Sequence, residues 1–418
     1  MKLSIHKSGF CLVIVLMFFV PVKTYSIGVL THEAIIDAEW DSVLMPFLKQ
    51  KFASATDSEF IVARAYAYGG AVTPDMGYYP FGSPLFTDLI HYVRSGDITE
   101  ALLKDADSLN DFAFALGFLS HYYADIFGHP LATNRSVPIV YPDMEKKFGN
   151  VVTYADDHTS HIRMEFGFDV LQVAKGNYAS KSYHDFIGFK VDTLLLAKAF
   201  KETYGLDLDE VFKKHLGLSV ETFRFMIANV FPFITKSAWA SKDKKSLETD
   251  STKTSEIFRY KMQMRQYNNN FGTGYKRPGF WASGFSFFLK ILPKAGPLKA
   301  LHFKKPTAQA EKYFDLSFDT ILVHYTYFVH NTSVTVADLK DKNFDTGFPT
   351  EECKYVLADE TYNEWLLELK KENFKNATPQ IKSNIVLFYK ALQPPPQGKK
   401  YKTCNEVYAA LQELKKTE

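Results

Sequence analysis

The stretch Asp111–His129 reads DFAFALGFLSHYYADIFGH. Apolar residues crowd its first half: Phe112, Phe114, Leu116, Phe118 and Leu119. The run is longer than an ordinary strand and predicts a buried helix from Asp111 to about Phe127. Within it, His121, Asp125 and His129 recur at i, i+4 and i+8. Each step of four residues turns a helix by only about 40°, so all three point to nearly one side. Imidazole nitrogen and carboxylate oxygen both suit Zn²⁺. Burying three such groups among Phe and Leu is costly unless something satisfies them, and a metal ion does so. The bland alternative is a surface stripe or a set of ordinary hydrogen-bonded core residues.

A second pair repeats the pattern. His161 and Glu165 stand one helical turn apart, with His158 just upstream as a competitor for the same role. Pairs at i, i+4 on separate helices converge in bundle cores to build multi-metal sites. Asp75 lies in the loop Thr73-Pro74-Asp75-Met76-Gly77, where flanking Pro and Gly would fix its carboxylate; a turn residue bonding its own backbone is the competing view. His91 follows on a partly apolar face, with Asp88 three residues before it and placed to orient its ring.

Apolar spacing elsewhere is mostly helical, and no run of alternating strands separated by turn pairs occurs, so the fold is expected to be all-α. Helices are predicted over 33–52 (Thr31 as N-cap), from Ser83-Pro84 through Val93, and over 158–175, 185–204, 315–331, 361–392 and 405–416. Residues 69–82, dense in Gly and Pro, read as a loop, and the polar stretch 241–255 as a linker or exposed loop. The division is a signal peptide at 1–26, a helical metal domain at 27–240 and a helical C-terminal region at 241–418.

The leader has a positive start at Lys2 and Lys7, an apolar run from Phe10 to Val22, and small residues Thr24 and Ser26 placed for cleavage. That run is about 13 residues, short of what spans a bilayer of about 30 Å. Export with cleavage near Ser26 is therefore expected. Of 49 Lys+Arg and 47 Asp+Glu, removal of the leader leaves 46 against 47, which argues against an electrostatic nucleic-acid binder. Three cysteines are too few for a disulfide scaffold; Cys353 and Cys404, the two beyond the leader, can pair only if the fold brings them together. Cleavage after Ser26 would free the α-amine of Ile27, which can lose its proton near neutral pH and bind a metal, with His32 close behind.

This order of residues resembles the zinc-dependent phospholipase C and S1/P1 nuclease superfamily. The match consists of Gly28-Val29-Leu30-Thr31-His32, then Asp75 and His91, then His121, Asp125 and His129, then His161 and Glu165, over roughly 27–170. Glu165 in place of Asp, and Pro74-Asp75 before Gly77-Tyr78, lean to the bacterial phospholipase C-like branch. The resemblance implies a multi-helix bundle with a helical C-terminal extension and three zinc ions. By it, Asp75, His91, His121 and Asp125 would hold one ion, His129, His161 and Glu165 a second, and Ile27, His32 and Asp125 the third. Asp75 would double as general base.

The substrate so implied is a phospholipid or another phosphodiester, without a stable protein partner. Tyr78, Tyr79 and Phe81, beside Asp75, would line a lipid or choline pocket or simply pack. The apolar, Lys-spaced segment 280–301 would touch a membrane surface transiently or form a buried helix. Two alternatives stay open: a single-strand nuclease of the same superfamily, and a non-catalytic exported protein with structural zinc.

Overall fold

The computed structural model describes residues 28–175, 177–178, 189–231, 234–235, 238, 302–331, 339–396 and 402–417. Among these residues the chain is helical and has no strand, with one isolated antiparallel bridge, Lys342 to Pro349. The all-α expectation therefore holds. Ile27, the leader, the 241–255 stretch and the 280–301 segment lie outside the described residues.

The helices that matter here are α1 (Val29–Glu39), α2 (Asp57–Val72), α3 (Pro84–Tyr92), α4 (Ser95–Asp105), α5 (Leu109–Gly128), α6 (His158–Lys175), α7 (Thr193–Tyr204), α8 (Ala308–Asn331), α9 (Val356–Lys371), α10 (Pro379–Phe388) and α11 (Lys402–Leu414). Helix α5 is the axis of the bundle, packed by α1, α2, α4 and α8. It starts at a capping box: Ser108 Oγ accepts from the Asp111 N–H, and the Asp111 carboxylate accepts from the Ser108 N–H. Phe112, Phe114, Leu116, Phe118 and Leu119 are all buried, and each contributes about 1.5–3 kcal/mol on leaving water.

The predicted loop 69–82 is a correction. Helix α2 runs on through Val72, and Thr73–Tyr78 continues as a 3-10 helix. The two glycines are there for proximity. A Cβ on Gly70 would lie 2.0 Å from the Phe114 carbonyl oxygen, and one on Gly117 of the facing helix would lie 2.0 Å from the Ala67 oxygen. Small residues on both faces let α2 and α5 press backbone to backbone.

Two further differences have local causes. The first helix begins at Val29, not Glu33, and Thr31 is inside it; its hydroxyl donates to Asp169 Oδ1 at 2.9 Å rather than capping. The stretch 361–392 is two helices, α9 and α10, because Asn373 and Phe374 adopt positive φ and Thr378 caps a new start before Pro379.

Residues from both halves of the chain share one hydrophobic core. Helix α8 lies against α5, and α9 against α3. Between α8 and α9, residues 339–349 form a strap. It is tied down by Ser95 Oγ, which donates to the Lys342 carbonyl and accepts from its N–H, and by the Tyr122 hydroxyl on the Lys340 carbonyl. No helix among the described residues is long and apolar enough to cross a membrane.

Candidate metal centre

Eight of the nine residues singled out above for metal binding come together; the ninth, Ile27, lies outside the described residues. His121 and Asp125 project from α5, and His129 from the π-helical turn His129–Thr133 that extends it. His32 comes from α1, Asp75 from the 3-10 turn, His91 from α3, and His161 and Glu165 from α6. All are buried. His161, not His158, faces His129, and both His158 and His161 set their rings edge-on to Tyr154, at 4.3 Å and 5.5 Å.

Asp125 is the hub. Its Oδ2 lies 3.1 Å from His121 Nε2, 3.3 Å from His91 Nε2 and 3.7 Å from His129 Nε2; its Oδ1 lies 3.6 Å from His32 Nε2. Asp75 Oδ1 is 3.4 Å from His91 Nε2. In a second cluster, His161 Nε2 lies 2.9 Å from both Glu165 Oε1 and His129 Nδ1.

Ring orientation follows from backbone carbonyls. His91 Nδ1 lies 2.8 Å from the Thr87 oxygen, and His121 Nδ1 lies 2.8 Å from the Ala71 oxygen. A carbonyl only accepts, so Nδ1 carries the proton and Nε2 keeps a bare lone pair aimed into the cluster. The expected orienter of His91, Asp88, is replaced in that role by the Thr87 carbonyl; Asp88 accepts instead from the Tyr78 hydroxyl at 3.4 Å.

A metal fits these donors. Tetrahedral zinc with bonds of about 2.0–2.1 Å sets neighbouring ligand atoms about 3.3 Å apart, close to the separations around Asp125 Oδ2. Buried His91 Nε2, His121 Nε2, both nitrogens of His32, both oxygens of Asp125 and both of Glu165 make no hydrogen bond. Left bare, each such group would cost about 1–3 kcal/mol, and more if charged.

Electrostatics point the same way. Burial, then His121, pushes His32 down to about 3. Burial, then His129, lowers His161. Glu165 is raised by burial and next by Asp125, Asp75 and Asp345. Burial opposes the charge on His91, but Asp125 and Asp75 outweigh it and raise the ring to about 10. Burial also acts against the charge on Asp125, and His121 and His129 overcome it. The side chains by themselves thus disagree over which should be charged. A divalent cation favours ionised carboxylates and neutral imidazoles together.

One neighbour was not foreseen. Asp345, from the strap, groups with His129 and His161 at ligand distance. It sits in the turn Asn343-Phe344-Asp345-Thr346-Gly347, and no spacing in the sequence links that turn to a helix face. Phe344 beside it packs on the rings of His91 at 5.0 Å and His121 at 5.9 Å. Of the aromatics next to Asp75, Tyr79 packs edge-on against Phe223 and Tyr78 is buried, while Phe81 is exposed. His324 and His330 lie on the exposed side of α8, apart from these clusters.

The family model described as zinc dependent phospholipase C matches residues 31–214. No curated protein and no solved structure matches the chain. All eight clustered donors fall inside the matched segment, so the similarity to the zinc-dependent phospholipase C family covers the whole described part of the centre up to Glu165.

Proposed function

We propose that the chain is an exported phosphodiesterase of the phospholipase C type, acting on phospholipid phosphate esters at a three-zinc centre. The observation that carries the reading is the hub at Asp125, whose two oxygens face imidazoles from α1, α3, α5 and the turn after it. In this reading Asp75, His91, His121 and Asp125 hold one ion. His129, His161 and Glu165 hold a second, and His32, Asp125 and the backbone of a freed Ile27 hold the third.

Bound zinc would lower the pKa of water and offset charge on the phosphate oxygens. The chain's own residues do the rest. Thr87 and Ala71 hold the His91 and His121 rings in the tautomer that presents Nε2. Asp75 is fixed by the short turn between α2 and α3 and takes the proton of the attacking water. The Phe344 ring shields His91 and His121 from bulk water, which strengthens the electrostatics of the cluster.

A second reading, zinc in a purely structural role, is favoured by one observation: the donors are all buried. Turnover separates the two. The purified mature protein, with its zinc content measured, is assayed on phosphatidylcholine for release of phosphocholine and on single-stranded DNA. Phosphocholine release that is lost on chelation and regained with zinc supports the proposal. Zinc without hydrolysis of either substrate supports the structural role, and hydrolysis of DNA alone supports the nuclease.

A further inference from the structure

We propose that Asp345 is a fourth protein ligand of the ion assigned to His129, His161 and Glu165, delivered by the strap between α8 and α9. The inference rests on the metal-centre reading above and extends it to a residue outside the family-matched segment.

The two oxygens of Asp345 have different surroundings. Oδ2 is fully engaged: it accepts from the Tyr154 N–H at 2.9 Å and from the Tyr355 hydroxyl. Oδ1 is buried, makes no hydrogen bond, and faces the second cluster, 3.8 Å from His129 Nδ1 and 3.9 Å from His161 Nε2. Those separations are too long for hydrogen bonds, which for charge-assisted pairs run to about 2.7–2.9 Å. They do suit a shared cation, because two donors each about 2.0–2.2 Å from one ion stand at most about 4.3 Å apart. One oxygen anchored and the other bare is the arrangement of a carboxylate that binds a metal through a single atom while its partner oxygen is oriented from outside.

The main chain around Asp345 is set with equal care. Asn134 Nδ2 donates to the Asp345 carbonyl at 2.7 Å, and the Phe344 N–H donates to the His91 carbonyl at 3.0 Å. Gly347 turns with φ of 72°, and a Cβ there would lie 2.5 Å from the Ile126 oxygen, so the strap needs glycine to lie this close to α5. Contacts thus run from the strap to the helices that carry His91, His121 and Asp125. Charge agrees with the assignment. Glu165 and Asp345 supply two carboxylates to one ion, which balances a divalent charge in a buried site.

The test uses the full mature chain, with zinc counted per chain by mass spectrometry during titration with a competing chelator. In Asp345→Asn, which keeps the shape and removes the charge, the affinity for one ion is expected to fall by at least tenfold while the others are unchanged. Tyr355→Phe, which frees only Oδ2, should fall less. Loading with cobalt adds a readout of the donor set: the visible absorption bands should change in Asp345→Asn and stay close to wild type in Tyr355→Phe. Folding is checked on the metal-free proteins by circular dichroism; if Asp345→Asn fails to fold, Asp345→Glu, which keeps the charge and displaces the oxygen, is measured instead.

Wild-type affinity and an unchanged cobalt spectrum in the Asp345 variant, beside a wild type that holds its ions, overturn the inference alone. A wild type that binds no zinc overturns the metal-centre reading and this inference with it.

Discussion

Gly117→Ala tests whether the close approach of α2 and α5 is what aims His121. The new Cβ would lie 2.0 Å from the Ala67 oxygen, 2.8 Å from its carbonyl carbon and 2.9 Å from the Ala71 nitrogen. Carbon and oxygen need about 3.3 Å, so the helices must part by about 1.3 Å at this point. His121 is one turn further along, and its Nδ1 is bonded to the Ala71 oxygen at 2.8 Å. The same displacement stretches that bond to about 4 Å, beyond hydrogen-bond range. Overpacking costs about 1–3 kcal/mol, and the lost bond about 0.5–1.5 kcal/mol. Alanine returns about 1 kcal/mol of helix propensity. The net loss of about 1–3 kcal/mol is, for a chain this long, a fall in Tm of about 1–4 °C. Zinc affinity is more sensitive, because loss of the group that orients a ligand costs about 10–100-fold. Calorimetry and chelator competition read the two effects separately. A variant with wild-type Tm and wild-type zinc retention would refute the claim that backbone contact at Gly117 positions the ligand.

The other predictions concern charge, protonation and thiols. Asp125→Asn should leave the centre short of at least one ion and lower hydrolysis by at least about 100-fold, measured as zinc per chain alongside turnover; a full complement of zinc would contradict the hub assignment. Asp169 accepts from the Leu30 N–H and the Thr31 hydroxyl, yet burial raises it from 3.8 to about 7. Between those values the unfolded chain releases its proton before the folded one, so this group's contribution to stability falls as pH rises. In metal-free protein, Asp169→Asn should therefore gain on wild type by up to about 4 kcal/mol between pH 4 and 8; a difference in denaturation midpoint that does not vary with pH would count against it. Cys353 and Cys404 are free and exposed, so a thiol reagent should titrate both in the native mature chain, and finding neither reactive would mean that they pair.

The parts of the centre that were legible in the sequence are those written in helical spacing. His121, Asp125 and His129, and again His161 and Glu165, lie at intervals that a helix turns into one face, and the structure brings them together. Asp75 and His91 stand out in the sequence only by local setting, a loop flanked by Pro and Gly and a partly apolar helix face, and it is the resemblance that assigns them to one ion. The glycines of α2 misled for a physical reason. Glycine serves turns and close packing alike, and only the facing helix, with Gly117 opposite Ala67, tells which use applies. Asp345 was missed because a strap obeys neither spacing rule, and its neighbours are set by hydrogen bonds to Ser95, Asn134 and Tyr355 from distant parts of the chain. His158 and His161 stand equally well in sequence; only the fold shows that His161 is the one that meets His129 and Glu165.

The strap also sets an order of events during synthesis. A ribosome adding about 5–20 residues per second completes Glu165 roughly 10–35 seconds before Gly347, whose left-handed turn lays the strap against α5. During that interval the helices can collect their histidines around an ion that still lacks its cover. Closure must then wait for a contact of very long sequence separation, the kind that forms late and slowly. A chain cut short after α8 would keep most of the donors and yet leave the ion open to competing ligands. Tight retention of metal would in this way report that the whole polypeptide has been made.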